Sequence, residues 1–401
     1  MSARILSPLL PVLFFLQALA GQVEENPTLP SSLEGNETEA MLDALIFGTD
    51  ENSSSPDLPL PSPSNWSNSL TLSLGGGLHT NPMQGPFVRE KAGYVTTSID
   101  SFLLRMGEDS SVFYLYIFGE GSHYEGIPSL ELAGIALAQA EYSRTFSSSG
   151  LTAGLRARHV YYDLAFDLTE NLDAPFSLTV QSNKTEVRPF LAFPVGEKLS
   201  GGIEVAAARD VFAETSENYK EKEFRTFLKW RGKQDSTAEL ALAATWMDYD
   251  RRVRRMADGW PLDGLLETKT VGADLTLYHP FGEEKEWSAR LTVNLRKLYD
   301  NAEGYYDLRS LSGRLTLAYE RKPWEASATV GGGDFAHDVR PISFAGPTLR
   351  RRSFSTEMTV RRSVNDHWKV FAKWTRERDD SNSRDFEYDA QTYSAGVEWS
   401  K

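Results

Sequence analysis

The 401-residue chain has no cysteine, which excludes disulfide bridges and thiolate metal sites. Long apolar runs are also missing. Beyond residue 20, no stretch approaches the ~20 apolar residues of a membrane-spanning helix, and mean hydropathy is −0.39. Basic charge is in deficit: 42 Lys and Arg stand against 56 Asp and Glu, a net charge of −14. That balance opposes nucleic-acid binding. Histidine is scarce, with 6 in all, and no two have metal-ligand spacing. No metal and no cofactor is expected. The glycine runs Gly75–Gly77 and Gly331–Gly333 precede no helix and lack the Lys-Ser/Thr of a phosphate loop. They read as relief of crowding within strands.

What is present begins with a secretory leader over residues 1–20. Arg4 gives a positive start, Leu9 to Leu19 an apolar centre, and Ala18-Leu19-Ala20 the small residues of a cleavage site. Residues 21–65 then hold nine acids, from Glu24 to Asp57, and no Lys or Arg. They end in the Pro/Ser-rich SSSPDLPLPSPSNW, which favours extended backbone. This segment is expected to be a disordered acidic tail.

From residue 66 to 401 the dominant period is two. Trp287, Ala289, Leu291, Val293 and Leu295 alternate with Ser288, Arg290, Thr292, Asn294 and Arg296, and the pattern recurs up to Trp399. Such alternation makes strands with one apolar and one wet face. Their starts fall near Ser69, Tyr94, Val112, Leu132, Leu151, Ser177, Gly201, Glu223, Thr237, Thr270, Trp287, Ser310, Glu325, Ser353, Trp368 and Gln391. Tight turns such as Ser147–Gly150 and Gly282–Glu286 alternate with longer connections at Asp250–Glu267, His337–Arg350 and Glu377–Asp389. Nine aromatics, including Trp230, Tyr278, Trp324 and Trp399, sit at strand ends, where a membrane interface would hold them. The expected fold is all-β: a transmembrane antiparallel up-and-down barrel of about sixteen strands, of the kind found in outer membranes. An even strand count puts both ends of the barrel, and the tail, on the short-turn, periplasmic side. The competing fold is a soluble propeller or sandwich.

The closing stretch, WKVFAKWTRERDDSNSRDFEYDAQTYSAGVEW, resembles the last hairpin of Gram-negative outer-membrane barrels. It is most like the barrel domains of surface lipoprotein assembly modifiers, with Ser381-Asn382 and Tyr388-Asp389 punctuating the last loop, although the tetratricopeptide repeats of those proteins are absent here. The resemblance implies bacterial outer-membrane localisation, contact with outer-membrane lipid and lipopolysaccharide, and insertion by the barrel assembly machinery. Ser394, Gly396 and Trp399 match the core of the assembly signal, while Lys401 stands where an aromatic usually ends it.

Alternation assigns Arg156, Arg158, Arg188, Arg225, Lys229, Arg231, Arg290, Arg296, Arg314, Arg361, Lys369 and Lys373 to the inner wall. The inward acids named by the same reading are Glu204, Glu239, Asp274, Glu357 and Glu398. With bases ahead, the expectation is a porin-like channel with a mild anion preference, passing small polar solutes or an exported polymer. The rival is a wall whose charges only pair with one another. Arg251, Arg252, Arg254 and Arg255, with Arg350, Arg351 and Arg352, are candidates for clamping lipopolysaccharide phosphates. A loop-plugged barrel with a binding surface is the alternative function, and a barrel hydrolase using Asp334, His337 and Asp338 the third. No residue is expected to be catalytic.

Overall fold

The computed structural model describes residues 66–84, 90–107, 110–127, 130–167, 177–213, 215–342 and 346–401. The leader and acidic tail expected over 1–65 lie outside them. Sixteen strands follow in order: β1 Trp66–His79, β2 Ala92–Met106, β3 Ser111–Tyr124, β4 Leu132–Phe146, β5 Leu151–Asp167, β6 Ser177–Gly196, β7 Leu199–Phe212 and β8 Tyr219–Arg231. The second half comprises β9 Thr237–Arg255, β10 Pro261–Phe281, β11 Trp287–Asp300, β12 Leu308–Arg321, β13 Trp324–Pro341, β14 Thr348–Ser363, β15 Trp368–Ser381 and β16 Tyr388–Ser400. Each strand pairs antiparallel with its sequence neighbours, and β1 pairs with β16 to close the barrel. Closure leaves no free sheet edge. The first strand starts, and the last ends, at the rim of tight turns.

The two-residue period sets the wall. Leu74 (53 % exposed), Leu242 (54 %), Leu295 (57 %) and Leu311 (53 %) all face outward. A water-soluble propeller or sandwich would bury them, so the soluble alternative is overturned. On the other face of the same strands sit Thr245, Asn294, Arg296, Ser312 and Arg314, all buried. Apolar outside and polar inside is the cross-section of a transmembrane barrel. Aromatic side chains mark the turn rim: Trp287 packs 4.8 Å from Tyr319 and 6.2 Å from Phe281, and Trp368 lies in register with Trp399.

Two expectations change. The stretches read as long connections are mostly strand. β9 and β10 continue to residues 255 and 261 with bulges near Leu262 and Glu267, while β13 reaches Pro341 and β15 reaches Ser381. Above the apolar band the outer face of a strand meets water, while buried apolar side chains such as Tyr249, Leu266 and Leu298 turn inward. Alternation therefore fades while backbone pairing goes on. Tyr278, read as part of the interfacial belt, instead faces inward beneath Arg290, 5.5 Å from its guanidinium. Its neighbours Leu277 and His279 take the outward positions.

Candidate functional site

The inner wall is a lattice of ion pairs. On β4 and β5, Arg156 donates to Glu141 at 2.7 Å, and Glu141 also accepts from the Tyr114 hydroxyl at 3.2 Å. Arg158 donates to Glu186 at 3.2 Å. Arg188 meets three carboxylates at once: Glu186 at 3.0 Å, Glu204 at 3.0 Å and Glu223 at 2.7 Å. Arg225 links Glu204 to Glu239, and Lys184 donates to Glu221 at 2.8 Å. Further round, Arg296 pairs with Asp274. On β13 to β16, Lys369 pairs with Glu325 at 2.5 Å, Lys373 with Glu357 at 3.0 Å and Arg361 with Glu398 at 3.0 Å. Cross-strand register explains the pairing, because Arg158 stands opposite Glu186 and Arg225 opposite Glu204. Lys229, Arg231 and Arg314 belong to the same inward rows, opposite Glu239, Thr237 and Gly331.

The expected excess of basic side chains is corrected here. Glu141, Glu186, Glu221, Glu223, Glu325, Glu377 and Asp379 also face inward, beyond the acids expected there. The signal was available: Glu186 stands two residues before Arg188, so the same alternation puts both on one face. Charges of both signs interleave around the wall.

Near the rim of longer connections the inner face changes character. Tyr162, Phe212, Tyr219, Met247, Tyr249, Leu266, Leu298, Tyr305 and Tyr306 form one buried cluster, onto which Ala133 and Ile135 of β4 also pack. A second cluster of Met83, Ala92, Ile127 and Leu130 shares Ala133 with the first. Cations complete the collar. Arg252 lies 5.0 Å from the Tyr306 ring, Arg340 lies 5.4 Å from Tyr305 and 5.9 Å from Phe386, and Arg351 lies 5.5 Å from Phe386. Gln84 reaches Glu377 at 3.1 Å, joining the β1–β2 connection to β15. Aromatic and aliphatic side chains thus ring the mouth where an aqueous wall would be polar.

The arginine clusters divide by face. Arg252 turns in and pairs with Glu217 at 2.5 Å; Arg351 turns in to Asp379; Arg255 lies 5.8 Å from the Tyr305 ring. Arg251 bonds Thr215 at 2.9 Å, Arg254 the Asp263 carbonyl at 3.1 Å, and Arg352 pairs outside with Asp334 at 3.0 Å. Arg350, also exposed, donates its backbone N–H to Asn382 at 2.9 Å.

The hydrolase candidates separate in the same way. His337 is in register with the inward Leu308, whereas Asp334 and Asp338 face out and are held by Arg352, Lys297 and Arg309. His159, on the outer wall, meets the hydroxyl of its cross-strand neighbour Thr185 at 2.9 Å. In the closing seam, Ser394 and Gly396 face in and Trp399 faces out against Leu72. A Cβ on Gly396 would lie 2.3 Å from the Leu74 carbonyl oxygen and 2.7 Å from Phe371.

No family model and no curated protein matches the chain. Among solved structures, it is similar to OccAB1 of Acinetobacter baumannii, at TM-score 0.42 and 7 % identity over 84 % of this chain and 97 % of that one. OccK2 of Pseudomonas aeruginosa gives TM-score 0.41 and 13 % identity over 84 % and 98 %. An anion-selective porin from Comamonas acidovorans gives 0.45 and 8 % over 84 % and 99 %.

Proposed function

We propose that the protein is a bacterial outer-membrane channel for small polar solutes, with little preference for the sign of their charge. One observation carries this reading: a closed sixteen-strand wall that is apolar outside and lined inside by interleaved cations and anions. A barrel of this strand number is wide enough for a lumen. Rings of a single sign would filter ions. Here each arginine of the Arg158–Arg188–Arg225 run lies against carboxylates, so the field seen by a passing solute cancels over a short distance. The mild anion preference expected from the sequence is replaced by near-neutral selectivity. In the cell, the turn rim and the preceding tail would face the periplasm, and Ser394, Gly396 and Trp399 would be read during assembly.

A second reading, a gated or loop-plugged barrel, is favoured by the aromatic collar, which narrows one mouth with apolar side chains. The experiment is single-channel recording in a planar bilayer under a salt gradient. Stepwise conductance with a reversal potential near zero is expected. A reversal potential at the anion limit would overturn the balanced wall. Silence from inserted protein would overturn the open lumen and favour the collar as a gate.

A further inference from the structure

The outer surface is electrically lopsided. On the half of each strand nearer the longer connections, outward Lys or Arg occurs on most strands from β7 to β15, among them Arg209, Lys220, Lys269, Lys297, Arg309, Arg352 and Arg378. Among the described residues, β16 and β1 to β6 carry none there; Gly93, Gly121, Gly134, Asn183 and Gln391 stand in those rows instead. Charges serving only to solvate a rim would ring the whole circumference.

One group of these cations lies on β11, β12, β14 and β15. Lys297 and Arg309 stand opposite each other and share one carboxylate, Asp338. Arg352 is held by Asp334, and Arg378 by Asp380 at 2.7 Å. Arg350 follows Arg352 on the same face. Each acid fixes a cation while leaving donors unused, since a guanidinium has five N–H groups and a carboxylate occupies two at most. Arg309 and Arg352 remain 68 % and 79 % exposed. Two residues toward the turn rim from Lys297, Arg309 and Arg352 lie Leu295, Leu311 and Phe354, at the top of the apolar band. A ligand fitting both layers carries phosphate directly above hydrocarbon.

We infer that the outward face of β11 to β15 is a docking surface for a phosphorylated lipid, with Arg309, Arg350 and Arg352 as its principal contacts. The inference rests on the membrane reading above. Register puts Arg309 of β12 and Arg350 of β14 in one row on either side of Ala336 of β13, two strand spacings or about 10 Å apart, and guanidinium groups pair with phosphate bidentately. The sequence grouped Arg350, Arg351 and Arg352 together for this task. The fold withdraws Arg351 into the mouth and recruits Arg309 from another hairpin.

The test is native mass spectrometry of the full chain in mild detergent, with bis-phosphorylated lipid A and its dephosphorylated counterpart as probes. The phosphorylated lipid should be retained about tenfold more tightly, a loss of charge-assisted bonds accounting for the difference. A triple Arg309→Gln, Arg350→Gln, Arg352→Gln variant should lose that preference, and an Arg105→Gln, Arg144→Gln control at the turn rim should keep it. Equal retention of both lipids by the unaltered protein would overturn the inference, and that comparison needs no substitution to fold. So would displacement of the lipid by inorganic phosphate, or an unchanged preference in a triple variant with normal heat-modifiable mobility. Protein that enters bilayers yet ignores the phosphate refutes the docking surface alone; protein that never enters them refutes the membrane reading as well.

Discussion

Arg188 shows how much of the wall depends on single side chains. It touches Glu186, Glu204 and Glu223 together, and only 12 % of its side chain is exposed. Replacing it by Gln leaves three carboxylates facing one another without that charge between them. Arg188→Gln should therefore move the reversal potential toward cation preference and lower the temperature at which the folded band is lost on electrophoresis. An unchanged reversal potential would mean that solutes do not pass this part of the wall. The residue's inward direction is legible in the sequence, because alternation fixes the face. Its partners on β7 and β8 are not, since Glu204 and Glu223 join it only through strand register.

Among the elements, β11 was the plainest in the sequence and β10 the least. β11 starts at Trp287, where alternation begins, and runs through Leu291 and Leu295 to Asp300. β10 starts at Pro261, nine residues before the expected Thr270, because two register shifts break the alternation in its upper part, where Leu265 is exposed and Leu266 is buried in the collar. Hydropathy reports lipid contact, whereas backbone pairing does not require it. The starts of β4, β5, β6, β9 and β15 fall at the residues expected from the sequence. Within β11, Leu295→Arg places a charge on the lipid face. A cost of up to about 2–4 kcal/mol is expected at the bilayer midplane, falling toward the interface. Urea refolding into vesicles would measure it, and a shift no larger than that of Asn294→Ser would show that Leu295 does not contact lipid.

For the whole molecule, the collar is the feature that separates an open channel from a closed one. Tyr305 and Tyr306 stand in the β11–β12 connection, yet join residues from β4 to β12 in one cluster. Arg252, Arg255 and Arg340 lie against their rings. Removing both rings with Tyr305→Ala and Tyr306→Ala should raise single-channel conductance, or convert a silent barrel into a conducting one. Identical currents before and after would place the narrowest point elsewhere. The sequence could not reveal this assembly. Its members are scattered from residue 83 to residue 386, and only closure of β1 onto β16 brings their rows into one ring.

Both barrel ends leave from neighbouring points on the turn rim, and every strand pairs its backbone only with those before and after it. Such a cylinder has no structurally first strand. If a short linker joined residue 401 to residue 66 and the chain were cut at 256–260, the order of synthesis would change while every neighbour relation stayed the same. The position of the β1–β16 seam is thus a matter of where translation begins, and the wall itself is a cyclic object.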